Sequence, residues 1–535
     1  MDRQGRILVV DDNPKWRETL GEILRREGFH VDSAASAAEA LQLLEERFYH
    51  LMTLDIRMDE ENPQDAAGMK LLSGLDELGL TDAMSIIMLS AFGTTTQMRT
   101  AFRQYEVTDF INKAYFEAQE FIRLVKEVFS SKQPINLNLD LRWKHGSAEQ
   151  AVVNLSVPQG RVKRDSPLQL QIASELDDLL CRLFYQSERL LVRPMTPGRS
   201  GAAVLWAQPF NEEGAGRRVI VKYGEQEKIE QEYRHFKEYV EPFIGGGRST
   251  TVLALRRTPH LGGIEYSLLG TTNEHVESFE SFYKRADVPQ IKEMLNHLFQ
   301  GTCGNWYANS GRLELHDLTA DYEELLGLSL ENLDRTLNEN LKSIQGKRDL
   351  QFRTLSVPRT FTNPILALGD QHLRRSTYVC ITHGDFNEQN ILVDDKGQAW
   401  LIDFMRTGRG HILRDIAQLD SVVRLNLLSS EEATLDERLK MEEALCHAEH
   451  FSQIEQLAGN FPTENRTLAK AYATVLHLRT LAGKLVARNP QDEISEYYTA
   501  LVYYALNSIR FYSTPTLQRE HALLCASLLV DRLGL

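Results

Sequence analysis

The chain has 535 residues, 42% of them hydrophobic and 25% charged, and a net charge of −15. That is too long for one core and predicts about two to four domains. The acidic balance argues against a general nucleic-acid binder and against an anionic membrane surface, so neither is an expected partner. Cys181, Cys303, Cys380, Cys446 and Cys525 lie far apart with no CxxC pair, which indicates neither a zinc site nor a disulfide framework. They read as reduced packing residues of a cytoplasmic protein. No signal peptide opens the chain, and no apolar run approaches the roughly 18 residues that span a bilayer.

Residues 1–130 alternate short apolar strands with amphipathic helices. Ile7 to Val10 is a buried-strand run. Trp16, Leu20 and Ile23 follow at helical spacing, and Gly28 ends that helix. Leu51 to Leu54, Ile86 to Leu89 and Phe110-Ile111 are further strands. The alternation predicts an α/β, doubly wound parallel sheet with its function at the carboxyl ends of the strands. Asp11, Asp12, Asp55, Ser90 and Lys113 fall at those ends. Three carboxylates gathered there would repel one another unless a hard cation such as Mg²⁺ were bound. The set resembles a response-regulator receiver domain of flavodoxin-like (βα)5 fold. The resemblance implies that Asp55 accepts phosphate from a sensor histidine kinase. It implies that Asp11 and Asp12, with Asp55, hold Mg²⁺, and that Ser90 and Lys113 sense the acyl phosphate. Two departures stand out. Ala114 replaces the usual proline after the lysine, and a longer acidic stretch, Met58 to Gly68, follows Asp55.

Residues 131–190 read as a linker. Ile135 to Leu141 alternates strictly and predicts a half-buried strand, with Ala151 to Leu155 as a possible partner. Leu168, Ile172, Leu176, Leu179, Leu180, Leu183 and Phe184 form an apolar stripe at helical spacing. Ser166-Pro167 suits its N-cap and first turn. Packing on the following lobe is favoured over dimerisation, because a single helix of this length is short for a coiled coil.

From about 191 the pattern changes again. Pro197 to Val204 reads as a turn between strands, equally suited to a plain hairpin or to a cover over nucleotide phosphates. Val219 to Lys222 is a strand, and Glu227 to Phe236 a helix. Ile264 to Gly270 is another strand. Residues 274–345 and 415–535 read as strongly helical. Between them lies His383-Gly384-Asp385-Phe386-Asn387-Glu388-Gln389-Asn390-Ile391-Leu392-Val393, then Trp400-Leu401-Ile402-Asp403-Phe404. Asp395-Lys396-Gly397 reads as a hairpin turn that folds Asp403 back beside Asn390. Phosphoryl transfer from a nucleotide needs such a set: a base for the accepting hydroxyl, and an amide and a carboxylate to hold Mg²⁺.

This run resembles the catalytic region of aminoglycoside phosphotransferases and choline-kinase-like enzymes, a branch of the protein-kinase fold. The resemblance implies a bilobal α+β domain over 191–535, with a small lobe to about 272 and a large helical lobe beyond. It implies that Asp385 is the catalytic base and that Asn390 and Asp403 are Mg²⁺ ligands. Lys222 would position the phosphates of ATP or another nucleoside triphosphate, paired with Glu232 (Glu230 as second choice). Gly198, Ser200 and Gly201 would cover the phosphates, and the backbone near Leu268 and Gly270 would meet the base. His383 and Asp415 would support the loop.

The function expected is a bacterial two-component response regulator. Phosphate on Asp55 would control a phosphotransferase acting on a hydroxyl of a small molecule or of a protein. The alternative is a catalytically silent nucleotide-binding or protein-interaction module. Coupling is expected through the face formed by the fourth and fifth receiver strands and their helices, docked on the linker or the small lobe in one state only.

Overall fold

The computed structural model describes residues 4–58, 65–77, 80–81, 83–91, 95–132, 134–195, 201–243, 250–268, 276–341, 344–346, 348–369, 371–491, 493–511 and 514–535. Two compact units make up the chain: Met1–Tyr233 with Val252–Ser267, and Arg234–Thr251 with Leu268–Leu535. Among the described residues no helix is long and apolar enough to cross a membrane.

The first unit opens with β1 (Arg6–Val10), α1 (Pro14–Arg26), β2 (His30–Ala34), α2 (Ala37–Glu46), β3 (Leu51–Leu54) and α3 (Ala67–Glu77). β4 (Ser85–Ser90), α4 (Thr95–Gln104), β5 (Asp109–Asn112) and α5 (Ala118–Glu127) complete this part. The strands pair in parallel in the order β2-β1-β3-β4-β5. Side chains along a strand alternate between faces. Leu8, Val10, Met52, Leu54, Ile86 and Met88 therefore join one core, while Ile7, Val9, Leu51, Ile87 and Leu89 join another across the sheet. A strand buried on both faces must be apolar throughout, which is why these runs stood out in the sequence. The flavodoxin-like doubly wound fold is the one expected.

Beyond α5 come β6 (Asp140–Trp143), α6 (Ala148–Ala151), the hairpin of β7 (Ser156–Val157) and β8 (Gly160–Arg161), α7 (Pro167–Leu183), β9 (Arg189–Pro194) and β10 (Ala203–Asn211). Then follow β11 (Gly214–Ala215), β12 (Val219–Glu225), α8 (Gln226–His235), β13 (Thr250–Arg257) and β14 (Leu261–Leu268). One sheet runs β13-β14-β12-β10-β9-β6, with β11 paired to β10. β6 lies parallel to β9, so the expected linker is built into the same sheet as the strands after it.

Two strand expectations fail here. Only the end of Ile135 to Leu141 enters β6. Asn136 turns the chain instead, accepting from the Asn138 N–H while its amide donates to the Ser187 carbonyl. Ala151 to Leu155 is the end of α6 and a turn rather than a strand. Ser147 caps α6, and Asn154 takes a left-handed φ of 72°. Short polar side chains that bond their own backbone overrode the alternation. The helix forms as expected, with Ser166 accepting from the Gln169 N–H and Pro167 in the first turn. Its Ile172, Leu176, Leu179 and Leu183 pack with Leu190, Val192, Leu205 and Val221 of the sheet, so it is a packing helix.

The second unit mixes strands and helices. Ile391–Asp394 and Ala399–Leu401 form the expected hairpin, and Val276–Ser278 pairs with its outer edge. Gly397 takes a φ of 74° in its turn. Asp394 clamps that turn by accepting from the N–H groups of Lys396 and Gln398, both at 2.9 Å. The stretch expected to be helical up to residue 345 is broken by a strand, Glu314–Asp317, paired with Arg374–Thr377. Arg414–Ser421, Leu435–Leu445, Arg466–Leu485, Ser495–Ile509 and Thr516–Leu533 are helices of the helical part.

Charged groups sit at the centre of that helical part. Asp420 accepts from Arg479 at 3.0 Å and pairs with Arg424, which also donates to Glu442 at 2.7 Å. All four are fully buried. Burial works against the Glu442 carboxylate, yet Arg424, His521 and Arg479 together outweigh it and hold the group down to about 2. Removing one partner of such a network leaves a buried charge without compensation, at a cost of about 3–5 kcal/mol. Arg424→Met should lower stability by that order in denaturant unfolding followed by tryptophan fluorescence.

Glu265 of β14 is another buried acid. Burial pushes it from the ordinary 4.5 up to about 7, against the lowering effect of Arg256. A raised carboxyl binds its proton more tightly in the folded state, so stability is lost as pH rises from about 4.5 through about 7. Glu265→Gln should therefore raise the melting temperature by a few degrees at pH 8 and change it little at pH 5. Calorimetry at both pH values checks this.

Candidate functional site

At the carboxyl edge of the first sheet, β1 delivers Asp11 and Asp12, β3 delivers Asp55, β4 ends on Ser90, and Lys113 follows β5. Asp11, Asp55 and Ser90 are buried. Carboxylate oxygens of Asp11, Asp12 and Asp55 lie within 4.8 Å of one another. The Lys113 ammonium bridges two of them, at 2.6 Å from Asp11 and in a short contact with Asp55. Burial pushes the Asp11 carboxyl up to about 6, against the pull of Lys113. Burial also opposes the Lys113 charge, but its hydrogen bonds to Asp11 and Asp55 outweigh this and raise the ammonium. Arg17 donates to the carbonyls of Asp11 and Asp12 at 2.7 and 2.8 Å and so fixes the strand end. An all-oxygen donor set of this density suits Mg²⁺.

Residues 59–64 of the acidic stretch lie outside the described residues. The chain returns at Asp65, which accepts from the N–H groups of Met58 at 2.6 Å and Ala67 at 3.2 Å. Gly68 then packs against Asp55 so closely that a Cβ would lie 1.9 Å from the Asp55 carbonyl oxygen. The longer loop thus keeps a glycine beside Asp55, a constraint that composition alone did not reveal.

In the same unit, Lys222 of β12 pairs with Glu232 of α8 at 2.5 Å, and both are buried. The Tyr266 hydroxyl donates to the other Glu232 oxygen at 2.6 Å. Glu230 pairs with Arg257 instead. Tyr266 was not anticipated; its place on the strand beside β12 comes from sheet pairing alone. Gly198, Ser200 and Gly270 lie outside the described residues, as does the side chain of Leu268. Gly201 takes a φ of 82°, and its carbonyl accepts from the Ser156 N–H at 3.1 Å.

In the second unit, Asp385 sits half-buried on a loop held from beneath. The fully buried Asp415 accepts from the N–H groups of His383 and Gly384 at 2.9 and 3.0 Å, and from the Tyr307 hydroxyl at 3.0 Å. The His383 ring lies against Phe386 and Phe404, its Nε2 3.1 Å from the Ile402 carbonyl, a scaffold position. Gly384 has a φ of 79°, and a Cβ there would meet the Arg406 carbonyl oxygen at 2.3 Å, so no other residue fits between His383 and Asp385.

The Asp385 carboxylate accepts from Asn387 at 3.1 Å, Gln418 at 3.2 Å and Asn390 at 3.2 Å. The Ile402 N–H donates to the Asn390 carbonyl at 3.0 Å, which brings Asp403 beside Asn390. Asp403 takes a left-handed φ of 70°, an unusual backbone for an aspartate and one that clusters at functional sites. Gln418 and Asn387 were missed. Gln418 lies three residues after Asp415 on one helix, a spacing that puts both on one face.

Residues 7–126 match the response regulator receiver domain family, and with the carboxylate cluster this defines the N-terminal part as a receiver. The chain belongs to the Ternary complex associated domain 9 family, which it matches over residues 187–356 and 354–510. The two-component response regulator ARR11 of Arabidopsis thaliana is 37% identical over 93 residues, 17% of this chain and 17% of that protein. The hydrogenase transcriptional regulatory protein HoxA of Bradyrhizobium diazoefficiens is 25% identical over 223 residues, 42% of each chain. The receiver domain of NtrX from Brucella abortus is 29% identical over 23% of this chain and 98% of its own, with a TM-score of 0.21. The chain thus spans only 17% of the length of ARR11.

Gly68→Ala should displace the Asp55 carbonyl and abolish labelling of Asp55 by acetyl phosphate. Intact mass before and after exposure to acetyl phosphate and Mg²⁺ reads this out, with circular dichroism as the control for folding.

Proposed function

We propose that the chain is a two-component response regulator in which Asp55, phosphorylated by a sensor histidine kinase, controls a phosphotransferase in residues 191–535. An Asp55 oxygen attacks phosphorus, and the phosphorus–nitrogen bond of the donor breaks as the new phosphorus–oxygen bond forms. Lys113 then leaves its carboxylate partners for the phosphoryl oxygens, and the Ser90 hydroxyl donates to them. Mg²⁺ held by Asp11, Asp12 and Asp55 would neutralise the charge gathered there. The single observation that supports this half is the convergence of three carboxylates with Lys113.

For the second half we propose that Asp385 orients the accepting hydroxyl of a small molecule or a protein and takes its proton. Asn387 and Gln418 hold the carboxylate for that role. Lys222, kept in place by Glu232, would bind the phosphates of ATP, with Gly198, Ser200 and Gly201 over them and the base near Leu268 and Gly270. Asn390 and Asp403 would hold Mg²⁺, whose chemistry is to spread the charge of the transferring group. The observation that supports this half is a half-buried Asp385 on a loop locked by the buried Asp415. The protein would be cytoplasmic, with neither nucleic acid nor membrane as a partner. HoxA, similar over part of its length, is itself a transcriptional regulatory protein.

A second possibility, a silent nucleotide-binding or protein-interaction module, draws support from the family description, which ties the domain to ternary complexes. Mg²⁺-dependent ATP turnover separates the two. Wild type is run beside Asp385→Ala and Asp55→Ala, with and without acetyl phosphate, against amino sugars, choline-like alcohols and generic proteins. Asp385→Ala should lower kcat by about 10²–10⁴ with an unchanged melting temperature. Asp55→Ala should remove any response to acetyl phosphate. Nucleotide binding with no Asp385-dependent turnover would establish the silent module instead.

A further inference from the structure

Helix α7 carries polar residues on two sides, and their partners Arg6, His50, Ala83, Thr258 and His260 are in the first unit. Ser174, Asp178 and Arg182 recur every four residues and so form one stripe. The Arg6 guanidinium donates to Ser174 Oγ at 3.4 Å. Asp178 meets His50 Nε2 at 2.6 Å and accepts from Arg182 at 2.7 Å. Arg182 also donates to the Ala83 carbonyl at 3.2 Å. Arg6, His50 and Ala83 lie at the amino ends of β1, β3 and β4. The stripe therefore grips the receiver at the end of the sheet opposite Asp55. The face of the fourth and fifth strands, expected to meet the linker or the small lobe in one state only, is not where α7 docks.

The His50 tautomer follows from geometry. The Arg6 backbone N–H donates to Nδ1 at 2.9 Å, so Nε2 carries the proton and donates to Asp178. His50, Asp178 and Arg182 are each at most 6% exposed. A buried carboxylate that loses its donors costs several kcal/mol, so α7 cannot slide along the receiver by small steps.

The next residue on α7 faces the other way. Glu175, fully buried, accepts from Thr258 Oγ1 at 2.9 Å and from the His260 N–H at 3.0 Å, and its other oxygen meets His260 Nδ1 at 2.6 Å. Thr258 and His260 form the turn between β13 and β14. β14 carries Tyr266, the donor to Glu232, and pairs with the strand of Lys222.

We propose that α7 is the lever by which the receiver acts on the Lys222–Glu232 pair. Asp55 and His50 flank the same four-residue strand, β3, one at each end. A shift of β3 on phosphorylation reaches Asp178 through His50, moves α7, and is passed through Glu175 to the β13–β14 turn and so to Tyr266. The two discrete arrangements required of such a coupling are supplied by hydrogen-bonded carboxylates that are either fully paired or released. The proposal rests on the receiver and not on phosphotransferase activity.

Hydrogen exchange of the full chain tests it, because coupling between sites is reciprocal. Asp178→Asn should speed exchange in residues 258–268 about fivefold or more, and Glu175→Gln should do the same for residues 50–54. In wild type, acetyl phosphate with Mg²⁺ should change exchange in 258–268, and in Asp178→Asn that response should vanish while intact mass still shows the phosphate on Asp55. His50→Gln, milder because it keeps a donor, should give an intermediate response if Asp178→Asn disturbs folding. Unchanged exchange in 258–268 in both variants, or a full response to acetyl phosphate in both, would overturn the lever.

Discussion

A carboxylate taken out of water must be surrounded by donors or by opposite charge, and this chain buries carboxylates at each place where chemistry or coupling is expected. Asp11 and Asp55 are held by Lys113. Glu232 is held by Lys222 and Tyr266, and Asp415 by two backbone N–H groups and Tyr307. Asp178 is held by His50 and Arg182, and Glu175 by Thr258 and His260. Each acid thereby ties together segments far apart in sequence, and the geometry of each site follows from that pairing.

The same constraint shapes the receiver. Its cluster of carboxylates is tolerable because Lys113 reaches two of them, Asp11 and Asp55, across the carboxyl ends of the strands, with its charge reinforced by those acids. A phosphoryl group or a divalent cation arriving there competes for the same lysine and the same oxygens.

The loop of Asp385 shows a division of labour. Asp415 takes no part at the surface and is wholly enclosed; it spends its hydrogen-bonding capacity on the backbone of His383 and Gly384. Asp385 is left half-buried, steered by Asn387, Asn390 and Gln418. The close approach of Gly384 to the Arg406 carbonyl explains why glycine stands between them.

Much of this was legible in the chain. Apolar runs ending in Asp11, Asp55 and Ser90 predicted the parallel sheet, because a strand buried on both faces has to be apolar throughout. The hairpin around Gly397 and the helix begun by Ser166-Pro167 were equally local signals. Where short polar side chains bond their own backbone, as at Asn136 and Ser147, the strand reading misled. The partners of His50, Glu175, Tyr266 and Gln418 left no such trace. They depend on which surfaces meet after the strands have paired, and a hydrogen bond across 128 residues, such as that of His50 to Asp178, has no periodicity to betray it. The sequence by itself determined the elements and the chemistry at their ends. Only the tertiary structure decided which acid meets which donor, because buried charge is paired through space and not along the chain.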